Sequence, residues 1–311
     1  MKKFHCDCNN NVIFSRGKKV YCFKNTRKLF NIQRILPDYF SLIRRLFRSE
    51  IHNIKCINNN FLISVKGKIL FYKNQKKVFQ VKIDQGSRPL RQGIEVLNNK
   101  MFYGDYWKNI ENQSVNLYSV DIYTFKKEIF YTFLNVRHIH FVQKDKLNQN
   151  TLLIGTGDSD SESGIYALNI LNTEISVIGE GSQKYRAVSI LQVGNKLVWG
   201  SDDHNGSNHI YSFDRDSSKL TCLHEIDGPA YYSTINSEGD LFIATTIEDR
   251  KRHSAIIYTS NNQGKNWSIH KVFKKDIWHL KYFGYGVIEF ISGQEKHKKL
   301  FYNLVGLKEV R

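Results

Sequence analysis

The chain has 311 residues, 41% of them hydrophobic and 13% aromatic, enough for a sizeable core, and its 3 prolines argue against a disordered or linker-rich protein. A net charge of +17 favours anionic partners, and 12 Lys/Arg against 3 Asp/Glu in the first 50 residues concentrate that charge at the start. No run of about 18 apolar residues is present, so no transmembrane segment is expected. The basic start Met1-Lys2-Lys3 is not followed by the apolar stretch of a signal peptide, which points to a cytoplasmic protein.

No zinc finger, helix-turn-helix pattern or aromatic RNA-binding signature accompanies the charge, so nucleic acid is not an expected partner. Peripheral membrane contact through the basic N-terminal region is compatible with it. Cys6, Cys8, Cys22, Cys56 and Cys222 are odd in number and scattered, which gives neither a disulfide framework nor paired zinc ligands. Reduced thiols are expected.

Taken in chain order, Val12-Ile13-Phe14, Val20 to Phe23 and Lys28-Leu29-Phe30 read as short strands separated by turn signals at Gly17 and Asn25. Between Asp38 and Ile54, Phe40, Ile43, Leu46 and Phe47 recur at helical spacing with Arg44, Arg45 and Arg48 elsewhere on the surface. One short basic helix is expected near residues 38–50, packed over an edge of the fold. Strands then follow at 61–65, 68–72, 78–83, 93–97, 100–104, 115–119 and 128–133.

A longer repeat organises these strands. Arg88, Arg137, Tyr185, Tyr231 and Trp278 open successive segments at separations of 49, 48, 46 and 47 residues, and each segment carries a second apolar run ending in Gly or Thr beside acids. A period of roughly 40–50 residues built of short strands is that of a β-propeller, one four-stranded blade per repeat. The sequence therefore predicts an all-β propeller, a single domain over 1–311, with later blades at 137–183, 185–228, 229–276 and 277–311. Seven blades are expected, or six if the N- and C-terminal strands share one.

In a propeller the first strand of each blade lines the axis, and its start shares a face with the end of the second strand. That rule gathers Arg88, Arg91, Asp105 and Tyr106; Arg137, His138, His140, Asp158, Asp160 and Glu162; Tyr185, Arg186, Asp202, Asp203 and His204; Tyr231, Tyr232 and Glu248; and Trp278 with His279. Strand alternation sends His138 and His140 to one side, where both imidazoles address the same ligand or metal.

Three chemistries fit. A uronate lyase needs a cation for the carboxylate and a base for the C5 proton: Arg186 or Arg137 with His138, His140, Tyr185 or Tyr232. A glycosidase needs flanking carboxylates, and Asp158, Asp202 and Glu248 are candidates. A divalent metal, Mn²⁺ or Ca²⁺, would find ligands in His138, His140 and His204, although neither reaction class requires one. Arg88, Arg137, Asp105, Tyr106, Asp202, His204 and Trp278 are the expected ligand-binding residues.

The phrase Ser260-Asn261-Asn262-Gln263-Gly264-Lys265-Asn266-Trp267 follows the Asp-box pattern S-x-D-x-G-x-x-W with Asn at the Asp position. With Gly86 to Leu90, Tyr103 to Tyr106, Arg137 to His140, Thr156 to Glu162, Gly181 to Val188 and Thr245 to Glu248, it resembles the sialidase-like (BNR/Asp-box repeat) propellers of bacteria, often linked to surface-polysaccharide genes. The resemblance spans roughly residues 50–280 and implies a carbohydrate-active propeller. Ser87-Arg88-Pro89 only echoes the FRIP-like phrase of true sialidases. Propeller polysaccharide lyases, such as the ulvan and oligogalacturonate lyases, are similar in using His, Tyr and Arg at the axial face. The expected ligand is an anionic glycan, acted on by a hydrolase or lyase, or bound without catalysis by a platform for polysaccharide assembly.

Overall fold

The computed structural model describes residues 2–32, 41–249 and 252–310, with the side chains of Ser41 and Leu42 left aside. Blade one is β1 (Lys3–Cys8), β2 (Asn11–Arg16), β3 (Lys19–Cys22) and β4 (Lys28–Asn31), followed by helix α1 (Ser41–Leu46). Blade two is β5 (Asn53–Ile57), β6 (Asn60–Val65), β7 (Lys68–Lys73) and β8 (Lys76–Lys82); blade three is β9 (Ile94–Leu97), β10 (Lys100–Gly104), β11 (Val115–Asp121) and β12 (Lys127–Phe133). Blade four is β13 (His138–Lys144), β14 (Thr151–Gly157), β15 (Gly164–Asn169) and β16 (Ile175–Glu180); blade five is β17 (Leu191–Val193), β18 (Lys196–Gly200), β19 (Asn208–Asp214) and β20 (Lys219–Ile226). Blade six is β21 (Ala230–Ile235), β22 (Leu241–Thr245), β23 (Ser254–Ser260) and β24 (Ser268–Lys275), after which come α2 (Leu280–Phe283), β25 (Val287–Phe290), β26 (Tyr302–Val305) and β27 (Leu307–Glu309).

The architecture is a six-bladed propeller whose ring is completed by the two-stranded sheet β25–β26. The seventh four-stranded blade expected over 277–311 does not form among the described residues, because 280–283 turn into α2 and β27 pairs with β24 at the outer edge of blade six. Nor do the two ends of the chain share a blade, since β1 to β4 are consecutive. The expected basic helix is present as α1, although residues 38–40 of that expectation lie outside the described residues.

Apolar contacts run between blades. In blade two, Ile63 and Leu70 pack toward blade one against Ile13, Val20 and Phe30, while Leu62, Ile69 and Phe71 pack toward blade three against Met101 and Tyr103. Both faces of each blade are thus buried, so the middle strands read as continuous apolar runs. Tight turns use paired asparagines: Asn9-Asn10, Asn58-Asn59 and Asn98-Asn99 all have positive φ, the backbone of a two-residue type I′ hairpin. The Ser260–Trp267 phrase forms the turn between β23 and β24, where Asn262 Oδ1 accepts from the Asn266 amide at 3.0 Å and Trp267 Nε1 donates to the Gly264 carbonyl at 3.0 Å.

Closure between the last sheet and blade one is largely polar. Arg91, 2% exposed, donates to the carbonyls of Phe290 (3.1 Å), His52 (3.2 Å) and His5 (3.1 Å) and pairs with Glu289 at 3.3 Å. One guanidinium thereby ties β1, the segment before β5, and β25. Asn303 exchanges two 2.7 Å hydrogen bonds with the backbone of Phe4, and Asp7 receives Lys296 and His297. Cys8 and Cys56 form a disulfide between the inner strands of blades one and two, which replaces the expectation of reduced thiols throughout; Cys6, Cys22 and Cys222 are free.

Two outcomes follow. Arg91→Met removes one partner of a buried ion pair and strands several carbonyls, so unfolding should lose about 3–5 kcal/mol in a urea titration; a loss under about 1 kcal/mol would show that closure does not depend on it. Alkylation of the unreduced, denatured protein should label three cysteines of the five, and labelling of all five would exclude the bridge.

Candidate axial site

The side chains that reach the axis do so through local distortions of the inner strands. The register of β13 on β14 shifts between Ile139 and Phe141, which makes His140 the bulged residue, and the same irregularity falls at His5 in β1 and Tyr231 in β21. A bulge re-aims a side chain that pairing would otherwise fix. Space for His140 comes from Gly157, where a Cβ would lie 2.7 Å from His140 Cε1 and 3.2 Å from Arg186 Cγ. The glycines that close the second strands therefore admit a neighbour's bulk.

His138 and His140 converge on one carboxylate oxygen. His138 Nε2 lies 3.1 Å and His140 Nε2 3.3 Å from Asp158 Oδ1. Their Nδ1 atoms face the Trp107 carbonyl at 3.1 Å and the Ala187 carbonyl at 3.3 Å. A carbonyl oxygen only accepts, so each Nδ1 carries the hydrogen and, in a neutral ring, each Nε2 presents a lone pair. Lone pairs against a carboxylate repel unless a cation lies between them. Protonation of His140 is resisted, because burial holds its pKa down to about 4 despite Asp158. Burial raises the Asp158 pKa, but a proton or positive charge at the His138 and His140 rings outweighs it and holds the group far below the usual carboxylate range.

These three residues form a group whose ligand atoms lie within 4.8 Å of one another, a spread that atoms bound directly to one divalent ion can have. Backbone carbonyls behind metal-binding histidines are the usual second layer that fixes the ring and its tautomer, so the residues present fit a cation. Arg186 competes in part: Nη2 lies 3.1 Å from the same Asp158 Oδ1, and Nη1 donates to the Asp158 carbonyl at 2.8 Å.

Arg186 also links this group to a second. Its Nε lies 3.2 Å from Asp202 Oδ2, and its Nη2 donates to His204 Nε2 at 2.9 Å. His204 therefore carries its hydrogen on Nδ1, which it gives to Glu248, and Glu248 also accepts from the Tyr231 hydroxyl. Burial lowers the His204 pKa, but the Glu248 hydrogen bond and the charges of Asp202 and Glu248 raise it further, so the ring ends above its ordinary value. Asp202 is buried, and desolvation pushes its pKa well up. His204 thus lies in a group with Asp202 and Glu248, apart from His138 and His140.

The other expected residues are distributed as follows. Tyr106 lies over His138 with ring centroids 4.4 Å apart, and Arg137 Nη1 is 3.7 Å from Asp158 Oδ2. Tyr232 packs in the apolar cluster of blade six and also lines the cavity described below, while its neighbour Tyr231 reaches Glu248. Tyr185 packs against Gly179 and Trp199 between blades, Asp105 Oδ2 caps the Asn116 amide at 3.0 Å, and Trp278 lies against Phe283. The carbonyls of Trp107 and Ala187 carry no side-chain signal that sequence reading could detect.

The two groups meet a cavity of about 840 Å³ through His138 and Glu248, beside Tyr106, Tyr231 and Tyr232, and residues of α1 and α2 line its other side. The basic helix lines this cavity and is tied to the last sector, where Arg45 donates to the Phe283 carbonyl at 2.7 Å and pairs with Asp276.

No protein-family model matches the chain, and no curated protein matches it in sequence. Solved structures do. An oligogalacturonate lyase in complex with manganese aligns over 85% of this chain and 75% of its own, at 10% identity and a TM-score of 0.60. The mitotic checkpoint complex contains a chain aligning over 76% of this one and 70% of its own, at 15% identity and a TM-score of 0.53. The computationally designed Ika8 protein covers 88% and is covered over 80%, at 13% identity and a TM-score of 0.50. At such identities the likeness shows the propeller fold.

A pH titration tests the buried imidazole. The folded pKa of His140, about 4, lies below its ordinary 6.5, so the unfolded chain takes up the proton first and the folded state loses stability as pH falls between those values. In metal-free protein, His140→Gln should flatten the decline by up to about 1.4 kcal/mol per pH unit in that window. Parallel stability curves for the two proteins would mean that His140 titrates normally.

Proposed function

We propose that this chain is a carbohydrate-active propeller of polysaccharide-lyase type that cleaves an acidic polysaccharide or oligosaccharide by β-elimination, with His138, His140 and Asp158 holding a divalent cation such as Mn²⁺. The observation that carries the reading is the convergence of two imidazole lone pairs and a carboxylate beneath a cavity rich in cationic side chains. The manganese complex of the structurally similar oligogalacturonate lyase is consistent with it.

When bound, the cation supplies positive charge to the uronate carboxylate and so acidifies the C5 hydrogen. Arg186, whose guanidinium already spans Asp158, Asp202 and His204, orients that carboxylate. His204 is the base in this reading. It is the imidazole with substantial exposure, 42% of its side chain, and Glu248 holds its Nδ1 hydrogen, which leaves Nε2 to accept a proton once substrate takes over the Arg186 hydrogen bond. The C5 proton passes to Nε2, the C4–O bond breaks, a C4=C5 double bond forms, and the leaving oxygen takes its proton from water.

Hydrolysis fits less well. Asp202 is buried against Arg186, and the Asp158 oxygen Oδ1 is shared by two histidines and Arg186, so neither carboxylate has the open approach that a paired-acid mechanism needs.

The test is a panel of acidic and neutral polysaccharides with Mn²⁺, following ultraviolet absorbance of unsaturated uronate together with new reducing ends. Absorbance should rise with an acidic substrate, and His204→Ala should slow it on the order of 10²–10⁴-fold while Mn²⁺ binding persists. Reducing ends without absorbance would replace the lyase by a hydrolase. Glycan binding without turnover would leave a non-catalytic platform.

A further inference from the structure

The cavity holds more positive charge than its carboxylates neutralise. Among the described residues three acids line it and each is engaged: Glu289 with Lys3 at 3.0 Å and Arg91 at 3.3 Å, Glu50 with Arg44 at 3.6 Å, and Glu248 with His204 and Tyr231. Four further cations, Arg48, Arg88, Lys108 and Lys281, line the same cavity, and among the described residues none of them has a hydrogen-bonded side-chain acceptor or a carboxylate partner.

Arg88 is the one set into the wall. It follows Gly86, whose missing side chain lets the chain pass against the Tyr106 carbonyl, where a Cβ would stand 2.3 Å away. Burial is strong enough to lower the pKa of its guanidinium, against the opposing charge of Glu289. A half-buried guanidinium without an acceptor pays desolvation with no return unless an anion arrives, and its planar fork matches a carboxylate.

Resting on the lyase reading above, we propose that Arg88, with Arg48, Lys108 and Lys281 around it, is a second anion subsite of the cavity, taking a further carboxylate of an acidic oligosaccharide whose reacting residue lies at Asp158 and Arg186. The ligand is then an oligomer with at least two acidic units, and a single uronate fills only part of the site.

Calorimetry on the whole chain tests this in two arms. With metal chelated, tripolyphosphate should bind, and Arg88→Gln should weaken it at least tenfold, the loss of one charge-assisted contact. Arg88→Lys, which keeps the charge and serves as a folding control, should recover part of that loss. Equal binding by wild type and Arg88→Gln overturns the subsite whatever the glycan. With Mn²⁺ present, trimers of galacturonate or of alginate uronates should bind at least tenfold more tightly than the monomers, and Arg88→Gln should erase that gain without changing Mn²⁺ affinity. Arg88-dependent tripolyphosphate binding without any gain from uronate chain length would keep the anion site and overturn the acidic-oligosaccharide reading.

Discussion

The whole ring depends on how its two ends are held. Many closed rings lend a strand from one terminus to the other, but here blade one is complete from consecutive strands and the last sheet has only two. What spans the junction is a buried guanidinium and a set of backbone hydrogen bonds: Arg91 on Phe290, His52, His5 and Glu289, with Asn303 on Phe4 and backbone bonds of 2.8 and 2.9 Å between Ser292 and the segment His5–Asp7. Such contacts are directional, so they fix the angle between the first and last sectors as well as joining them.

That angle matters because no blade contains the site. His138 and His140 come from β13, Asp158 from the end of β14, Arg186 from the turn before β17, His204 from beyond β18, and Tyr231 with Glu248 from blade six. Arg186 is the piece that makes them one array: it touches Asp158, Asp202 and His204, and through His204 it reaches Glu248. The electrostatics follow from this sharing. Asp158 is kept ionised by the imidazoles and guanidinium around it, Asp202 is pushed up by burial, and His204 is pushed up by Glu248, so neighbouring groups titrate far apart. Environments that separate like groups in this way are characteristic of sites built for proton transfer.

Much of the fold was legible because propeller repetition is a long-range signal that survives local ambiguity. The apolar second and third strands of each blade, and the axial placement of His138, His140 and Asp158, follow from the repeat. Inner strands were harder to see: β1 carries His5 and Asp7, and β5 carries Asn53 and Lys55, so neither reads as apolar. The bulge at Tyr231 lets Tyr231 and Tyr232 both line the cavity, with Tyr231 reaching Glu248, which simple strand alternation does not give. The asparagine pairs are turn formers, a role that asparagine content alone does not reveal. Cys8 and Cys56 are far apart in sequence, and only the adjacency of the first two blades brings their Cα atoms to 5.6 Å. The truncated last sector was hidden because its hydrophobicity resembles that of a blade while α2 consumes the residues an inner strand would use.

The central claim is that the paired histidines and Asp158 form a cation site. The most direct measurement is electron paramagnetic resonance of the protein titrated with Mn²⁺, reading nitrogen couplings at the bound ion. The account predicts one tightly bound ion coupled to two imidazole nitrogens, reduced to one in His138→Ala and lost with binding in Asp158→Asn. Bound Mn²⁺ without nitrogen coupling, or couplings unchanged in His138→Ala, would contradict it.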